Sequence, residues 1–488
     1  MKQITPHISK RLVIAAGLIV ALGLLASPLL IGPTIVLAVS LLRPRTVGMP
    51  LLALLVPVQL FVSSFGLTFS FVDVLIILLT IVLLFQTLVL RKQFCWGPLG
   101  LPFLAFGVAL LIAAARSTDL AQAITTVIRL ASYGLVYLLV LNFTENKADA
   151  RRMLISLFVA GTAMAILGIA QSTLGVSFTR RFLASRLGEL LVRGDTPVWA
   201  ISSMRIGDFV RAYGLFMNPN WCGTYLAMLL MMALPLQVRQ QVAVPWRWMR
   251  SIIPLWLGAF VLSLSRGAIV ALLCAIIAFF SRLGSGRFVA VLSLTTILIL
   301  SSFLIGGETL RPLRHLGWQN VDWQGTAGYS RTSLWRDAYK VLATSPLLGV
   351  GLNNYEQRLS AVTYGAWIVH PHSTYLQLLI EGGIPMCLAF VWIIGRVWAR
   401  QWSLAKRLAP GLPRAMAMAG ASATIVFAVQ SAVDRFYGDP KVAMTFWMII
   451  GLSTALVKMS PDKQTNKVGT AESQLRYYAS ARRSPSAG

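Results

Sequence analysis

Charge is the scarcest commodity in these 488 residues: 12% are Asp, Glu, Lys or Arg, against 57% hydrophobic. A soluble globular chain carries about a quarter charged residues. Half that share, divided among long apolar runs, excludes an ordinary soluble domain and points to a polytopic membrane protein. Acids are scarcer still, 16 against 43 Lys and Arg, for a net charge of +27. In a soluble chain that excess would suggest nucleic acid. Here the basic residues fall mainly between apolar runs, so membrane topology and anionic lipid explain them better, and no nucleic-acid-binding module is visible.

Cysteine is almost missing. Cys95, Cys222, Cys274 and Cys387 form no Cys-x-x-Cys and no Cys/His metal spacing, so neither a disulfide nor a metal site is expected. A P-loop, a serine-nucleophile elbow and a DxD-like acidic pair are all lacking. ATP hydrolysis and metal-assisted transfer therefore have no support. Of the four histidines, two stand two residues apart in His370-Pro371-His372-Ser373.

A bilayer-spanning helix needs about 20 largely apolar residues. Spans are expected near 11–27, 29–42, 48–62, 71–90, 100–115, 122–142, 152–174, 221–237, 251–265, 267–281, 288–305, 384–399, 413–432 and 442–458. Residues 11–25 follow Lys2, Lys10 and Arg11 as a signal-peptide core would, but spans continue at once, so they read as a retained helix. The fold class is all-α: a polytopic integral membrane protein of about 12–14 transmembrane helices. Residues 1–459 make one membrane domain, and the polar stretch 460–488 reads as a disordered tail.

With the N-terminus cytoplasmic, the short inside segments hold twenty basic residues, whereas the short outside ones hold only Arg116, Arg266, Arg435 and Lys441. That bias obeys the positive-inside rule and makes both termini cytoplasmic. It also means that the four outside cations need a reason to be there. Two long outer segments, 175–220 and 306–383, are exempt from the rule. Within the second, 329–344 reads as a helix on the membrane surface, with Leu334, Trp335, Ala338, Val341 and Leu342 at helical spacing. Residues 373–381 read as a short helix capped by Ser373 or Thr374 and broken by Gly382, Gly383 and Pro385.

This topology puts Arg211, Arg266, His370, His372, Asp434 and Arg435 at one membrane face, the outer one. Arg211 opens Arg211-Ala-Tyr213-Gly-Leu-Phe, followed by Asn218-Pro-Asn220, a turn signal that also caps the next helix. Its guanidinium suits phosphate oxygens, although a lone loop arginine also snorkels to headgroups. Arg266 sits in a tight turn on the side that disfavours positive charge, which suggests that it faces the protein interior or a cavity. His372, at the start of a helix among arginines, is biased towards the neutral, proton-accepting form. Each histidine taken alone reads equally as structural. Glu381, the one nearby acid, could orient a histidine, hold Arg266 or serve as an interfacial carboxylate. Asp434 and Arg435 read as a pair. A neutral base, two arginines and an outward apolar groove suit an anionic lipid head, most simply a pyrophosphate.

These motifs resemble the bacterial O-antigen ligase and polymerase superfamily. The stretches are Arg211-Ala-Tyr-Gly-Leu-Phe with Asn218-Pro-Asn; Leu264-Ser-Arg266-Gly; Arg331-Thr-Ser-Leu-Trp335 leading to Ser345-Pro-Leu-Leu-Gly-Val-Gly351; and His370-Pro-His372-Ser-Thr-Tyr-Leu with Glu381-Gly-Gly. They cover about 205–400. The resemblance implies an inner-membrane glycosyltransferase with a large periplasmic loop, a donor glycan on undecaprenyl pyrophosphate, and no metal or other cofactor. It makes His372 the base and Arg211 and Arg266 the pyrophosphate ligands, with His370, Glu381, Arg331, Tyr213, Asn218 and Asn220 supporting. Two acceptors stay open: lipid A–core for a ligase, another lipid-linked repeat for a polymerase. A transporter, as in relatives tied to bicarbonate uptake, should instead carry charges at mid-membrane depth. Arg129 is the one clear charge inside a span.

Overall fold

The computed structural model describes residues 31–59, 61–64, 67–185, 188, 205–206, 209–216, 218–237, 246–281, 286, 331–363, 370–436 and 440–459. The protein is an all-α polytopic membrane protein. Its helices are α1 Ile31–Leu42, α2 Met49–Leu55, α3 Phe71–Leu88, α4 Gly100–Ala115, α5 Leu120–Phe143, α6 Lys147–Leu183, α7 Pro219–Gln237, α8 Trp246–Leu262, α9 Arg266–Ser281, α10 Arg331–Thr344, α11 Tyr355–Thr363, α12 Thr374–Arg407, α13 Leu412–Val433 and α14 Pro440–Lys458. Among the described residues, seven helices are long and apolar enough to cross a membrane: α3, α4 with its preceding turn, α5, α6, α12, α13 and α14. They sit where spans are expected. The expected spans at 11–27 and 288–305, and the polar tail, lie outside the described residues.

The expectation at 48–62 is only partly met. Helix α2 stops at Leu55, and the chain then forms an antiparallel hairpin of β1 Phe61–Ser64 and β2 Leu67–Ser70. Pro57 lacks an N–H to extend the helix, and Gln59 turns to a left-handed φ of 48°. A second small hairpin pairs Arg205–Ile206 (β3) with Phe209–Val210 (β4).

Helix α13 is the hub, packing against α7, α9, α12 and α14. Its sequence, LPRAMAMAGASATIVFAVQSAV, is rich in Ala, Gly and Ser. Small side chains let helix backbones approach closely where lipid supplies no hydrophobic drive to associate. At Gly420 a Cβ would press against the Ser453 side chain of α14 at 3.0 Å. Helix α14 in turn packs on α5, and α12 on α4.

Two kinks shape one end of the bundle. Helix α12 turns at Gly383 (φ 69°, ψ −168°), as the Gly-Gly-x-Pro sequence predicts. Pro385 brings no N–H to the Glu381 carbonyl, and that carbonyl accepts from Gly351 N at 3.0 Å. Ile380 O accepts from Val350 N at 2.8 Å, while Ile384 N donates to Leu347 O at 3.1 Å. The glycine-rich loop 345–352 thus replaces the helical bonds lost at the break. Helix α6 kinks likewise at Gly175. Beside that kink, buried Gln171 exchanges two hydrogen bonds with Gly214, from Nε2 to the carbonyl (3.0 Å) and from the amide to Oε1 (2.8 Å).

Helix α10 forms where expected, but its apolar stripe does not face lipid. Ala338 and Val341 are fully buried against Val350, Tyr355, Leu359, Leu376 and Ile380, with Trp335 and Leu342 packed alongside. The stripe docks α10 onto α11 and α12.

Candidate active site

The opposite end of the bundle carries a structural ion cluster. Arg45 pairs with Glu145 and with Asp149 (2.6 Å), and Arg152 pairs with Asp149 (2.9 Å). The motif residues gather at the other end, where α7, α9, α12 and α14 begin and α8 and α13 finish.

Ser373 caps α12, its hydroxyl accepting from Leu376 N at 3.3 Å. Thr374 donates twice to the Asp434 carbonyl, from its amide (3.0 Å) and its hydroxyl (2.9 Å), and that hydroxyl accepts from Phe436 N (3.1 Å). On the other side, Trp335 Nε1 donates to Pro371 O at 3.1 Å. His372, held between these anchors, has a φ of +47°, uncommon for a residue with a Cβ. Such strain persists only where its surroundings over-determine it.

The His372 side chain is 33% exposed, and its Nδ1 lies 3.9 Å from Oδ1 of Asp434, which is 1% exposed. The same oxygen accepts from Arg435 N (2.8 Å) and from Trp221 Nε1 (3.4 Å). The His370 ring stands 4.3 Å from that of His372, centroid to centroid. Burial pushes His370 down to about 3, with Arg435 and His372 adding to the shift and Asp434 opposing it. This ring therefore stays neutral at physiological pH, beside a second imidazole open to the site.

Arg211 reaches the same neighbourhood through its partners. Nε donates to Ser263 O (2.9 Å), and Nη2 to Asn220 Oδ1 (3.1 Å) and Leu264 O (3.3 Å). Its fork thus grips the α8–α9 turn, where Leu264 adopts a φ of 48°. Asn218 Oδ1 accepts from Asn220 N at 2.9 Å, the turn expected of Asn-Pro-Asn. Arg266 follows as the exposed first residue of α9. A Cβ on neighbouring Gly267 would collide with Gln430 and Val433, so the first turn of α9 abuts the last turn of α13, next to Asp434.

The supporting residues divide. Tyr213 is fully buried with Val210 and Val176, and burial pushes its phenol up. Glu381 is buried on α12, its carboxylate accepting from Gln377 Nε2. Its carbonyl holds the 345–352 loop. Arg331 opens α10, and its side chain lies outside what the structure describes. The residue that sequence reasoning missed is Asp434 as partner of His372, since the sequence suggested only a pair with Arg435. The available signal was its shared face and the rarity of acids there.

The four cations expected outside each hold a partner or lie beside the site. Arg116 donates to Gly349 O (3.1 Å) and Ser345 Oγ (3.3 Å), holding the 345–352 loop. Lys441, 6% exposed, donates to Leu215 O and lies 5.9 Å from the Phe216 ring centroid. Arg435 and Arg266 border the site.

Comparison with curated proteins gives no match. Residues 252–391 match the family model described as O-antigen ligase. The matched stretch includes Arg266, His370, His372 and Glu381, and stops short of Arg211 on one side and Asp434 on the other. Over these residues the chain is similar to the O-antigen ligase family.

Proposed function

We propose that the protein is a membrane glycosyltransferase that moves a glycan from a polyprenyl pyrophosphate, such as undecaprenyl pyrophosphate, onto a hydroxyl of an acceptor sugar. The observation that carries this reading is the partly open His372 backed by buried Asp434, at the end of a membrane bundle where Arg266 and Arg435 also lie. The His372 imidazole takes the proton of the acceptor hydroxyl as its oxygen attacks the anomeric carbon. The bond from that carbon to the pyrophosphate oxygen breaks, and the electron pair leaves with the polyprenyl pyrophosphate. Arg266, with Arg211 behind it, offsets the charge that builds on the leaving group. Asp434 stabilises the imidazolium formed. Lipid A–core is the first-choice acceptor, making the protein an O-antigen ligase of the inner membrane acting on its periplasmic face. A second lipid-linked repeat, the polymerase reaction, is the alternative.

The test is transfer by purified protein in nanodiscs, with a lipid-pyrophosphate glycan, EDTA present, and the two acceptors offered separately. His372→Ala runs alongside. Product on lipid A–core alone, lost in the variant, means ligase; a ladder of lipid-linked chains means polymerase. Wild-type transfer by a folded His372→Ala protein removes the base assignment.

A further inference from the structure

The outer segment carries an apolar tip that its own helix packing does not explain. Leu347 and Leu348 are 69% and 42% exposed, and Pro346 beside them is exposed too. Hydrogen bonds to two spanning helices fix the height of this loop. Leu352 N donates to Ala113 O in the last turn of α4 (3.1 Å), and Ile384 N at the α12 kink donates to Leu347 O (3.1 Å). From Ile384 an exposed apolar stripe runs down α12 through Leu388, Val391 and Trp392. Leu347 and Leu348 extend that lipid-facing stripe upwards. On α10 above them, exposed Arg336, Tyr339 and Lys340 supply the basic and aromatic character typical of the headgroup layer.

We infer that the Pro346-Leu347-Leu348 tip is inserted among the acyl chains of the leaflet at the site end of the bundle, with the outer face of α10 at headgroup level. The occupant of this surface is the bilayer. The expected surface helix is therefore anchored by the loop that follows it, while its own stripe binds protein. Because Trp335 of α10 holds Pro371 between the two histidines, the inserted tip sets the height of His372 above the hydrocarbon. The inference rests on the membrane fold and does not depend on the reaction proposed above.

The experiment places a nitroxide at Leu347→Cys, and as a control at the exposed α11 position Glu356→Cys, in full-length protein with the four native cysteines replaced. In phospholipid nanodiscs, collision rates with oxygen and with a water-soluble nickel chelate are measured. Oxygen collisions are expected to dominate at 347 and chelate collisions at 356. Chelate dominance at 347 overturns the inference. So does shielding from both probes, which would mean that protein covers the tip. Leu348→Cys gives the same reading if the first variant does not fold.

Discussion

His372 and Asp434, on different helices' ends, face each other with Nδ1 and Oδ1 3.9 Å apart. That is beyond hydrogen-bond length, as catalytic contacts often are before substrate tightens them. A buried carboxylate beside a half-open imidazole stabilises the positive charge that appears when the ring takes a proton. Asp434→Asn keeps the main-chain bonds to Thr374 and removes that charge. We expect kcat to fall by at least ~10-fold, less than the roughly 10²–10⁴ of losing the base itself. The KM for the donor should stay unchanged. Steady-state kinetics with varied donor checks this, and a fall confined to KM would place Asp434 in binding instead.

Arg211 and Arg266 separate by what each holds. Arg211 donates to two carbonyls of the turn that leads to Arg266 and to Asn220 Oδ1 of α7. Bonds from a charged donor contribute about 1.5–3 kcal/mol each. Arg211→Lys loses the fork, so thermal stability and donor binding should fall together. Arg266→Lys sits at an exposed position, where a substitution changes stability by about 0.5 kcal/mol or less. It should raise the donor KM with little change in Tm. Thermal unfolding in detergent, paired with donor titration, distinguishes the two.

His370 predicts a pH dependence. Burial and Arg435 hold its folded value at about 3, below the ordinary 6.5. Between those values the unfolded chain takes up a proton that the folded one refuses. The stability associated with this group is thus full above about pH 6.5 and declines as pH falls towards about 3. His370→Gln, neutral at every pH, should flatten that part of the Tm–pH curve. An unchanged slope in the variant would show that other groups cause the decline.

Gly383 has a φ of 69°, and a Cβ there would collide with Leu347 O and crowd Gly349 N. This positive-φ, extended-ψ conformation is essentially confined to glycine and costs another residue about 1–3 kcal/mol. Gly383→Ala should therefore lower Tm and loosen the 345–352 loop, read as faster amide exchange at Val350 and Gly351. Exchange unchanged from the wild type would refute the link between the Gly383 kink and the loop's hydrogen bonds.

Much of this architecture could be read along the chain. Apolar runs of bilayer length gave the seven long helices, Ser373 or Thr374 the cap, and Gly382, Gly383 and Pro385 the break, because each depends on neighbouring residues alone. The hairpin after α2 was less legible, since β-branched and aromatic residues at 60–70 satisfy an apolar window as readily as a span does.

For this protein, then, sequence by itself determined the membrane class, the helical periodicity and the cluster of motif residues at one membrane face. Tertiary structure alone decided which acid lies beside His372, because Asp434 and His372 meet only when α12 and α13 pack together. It also decided that the Arg211 guanidinium donates to two carbonyls of the α8–α9 turn, since backbone carbonyls leave no mark in a sequence. The direction of the α10 stripe was settled the same way: periodicity defines an apolar face, and only the neighbouring helices determine what that face meets.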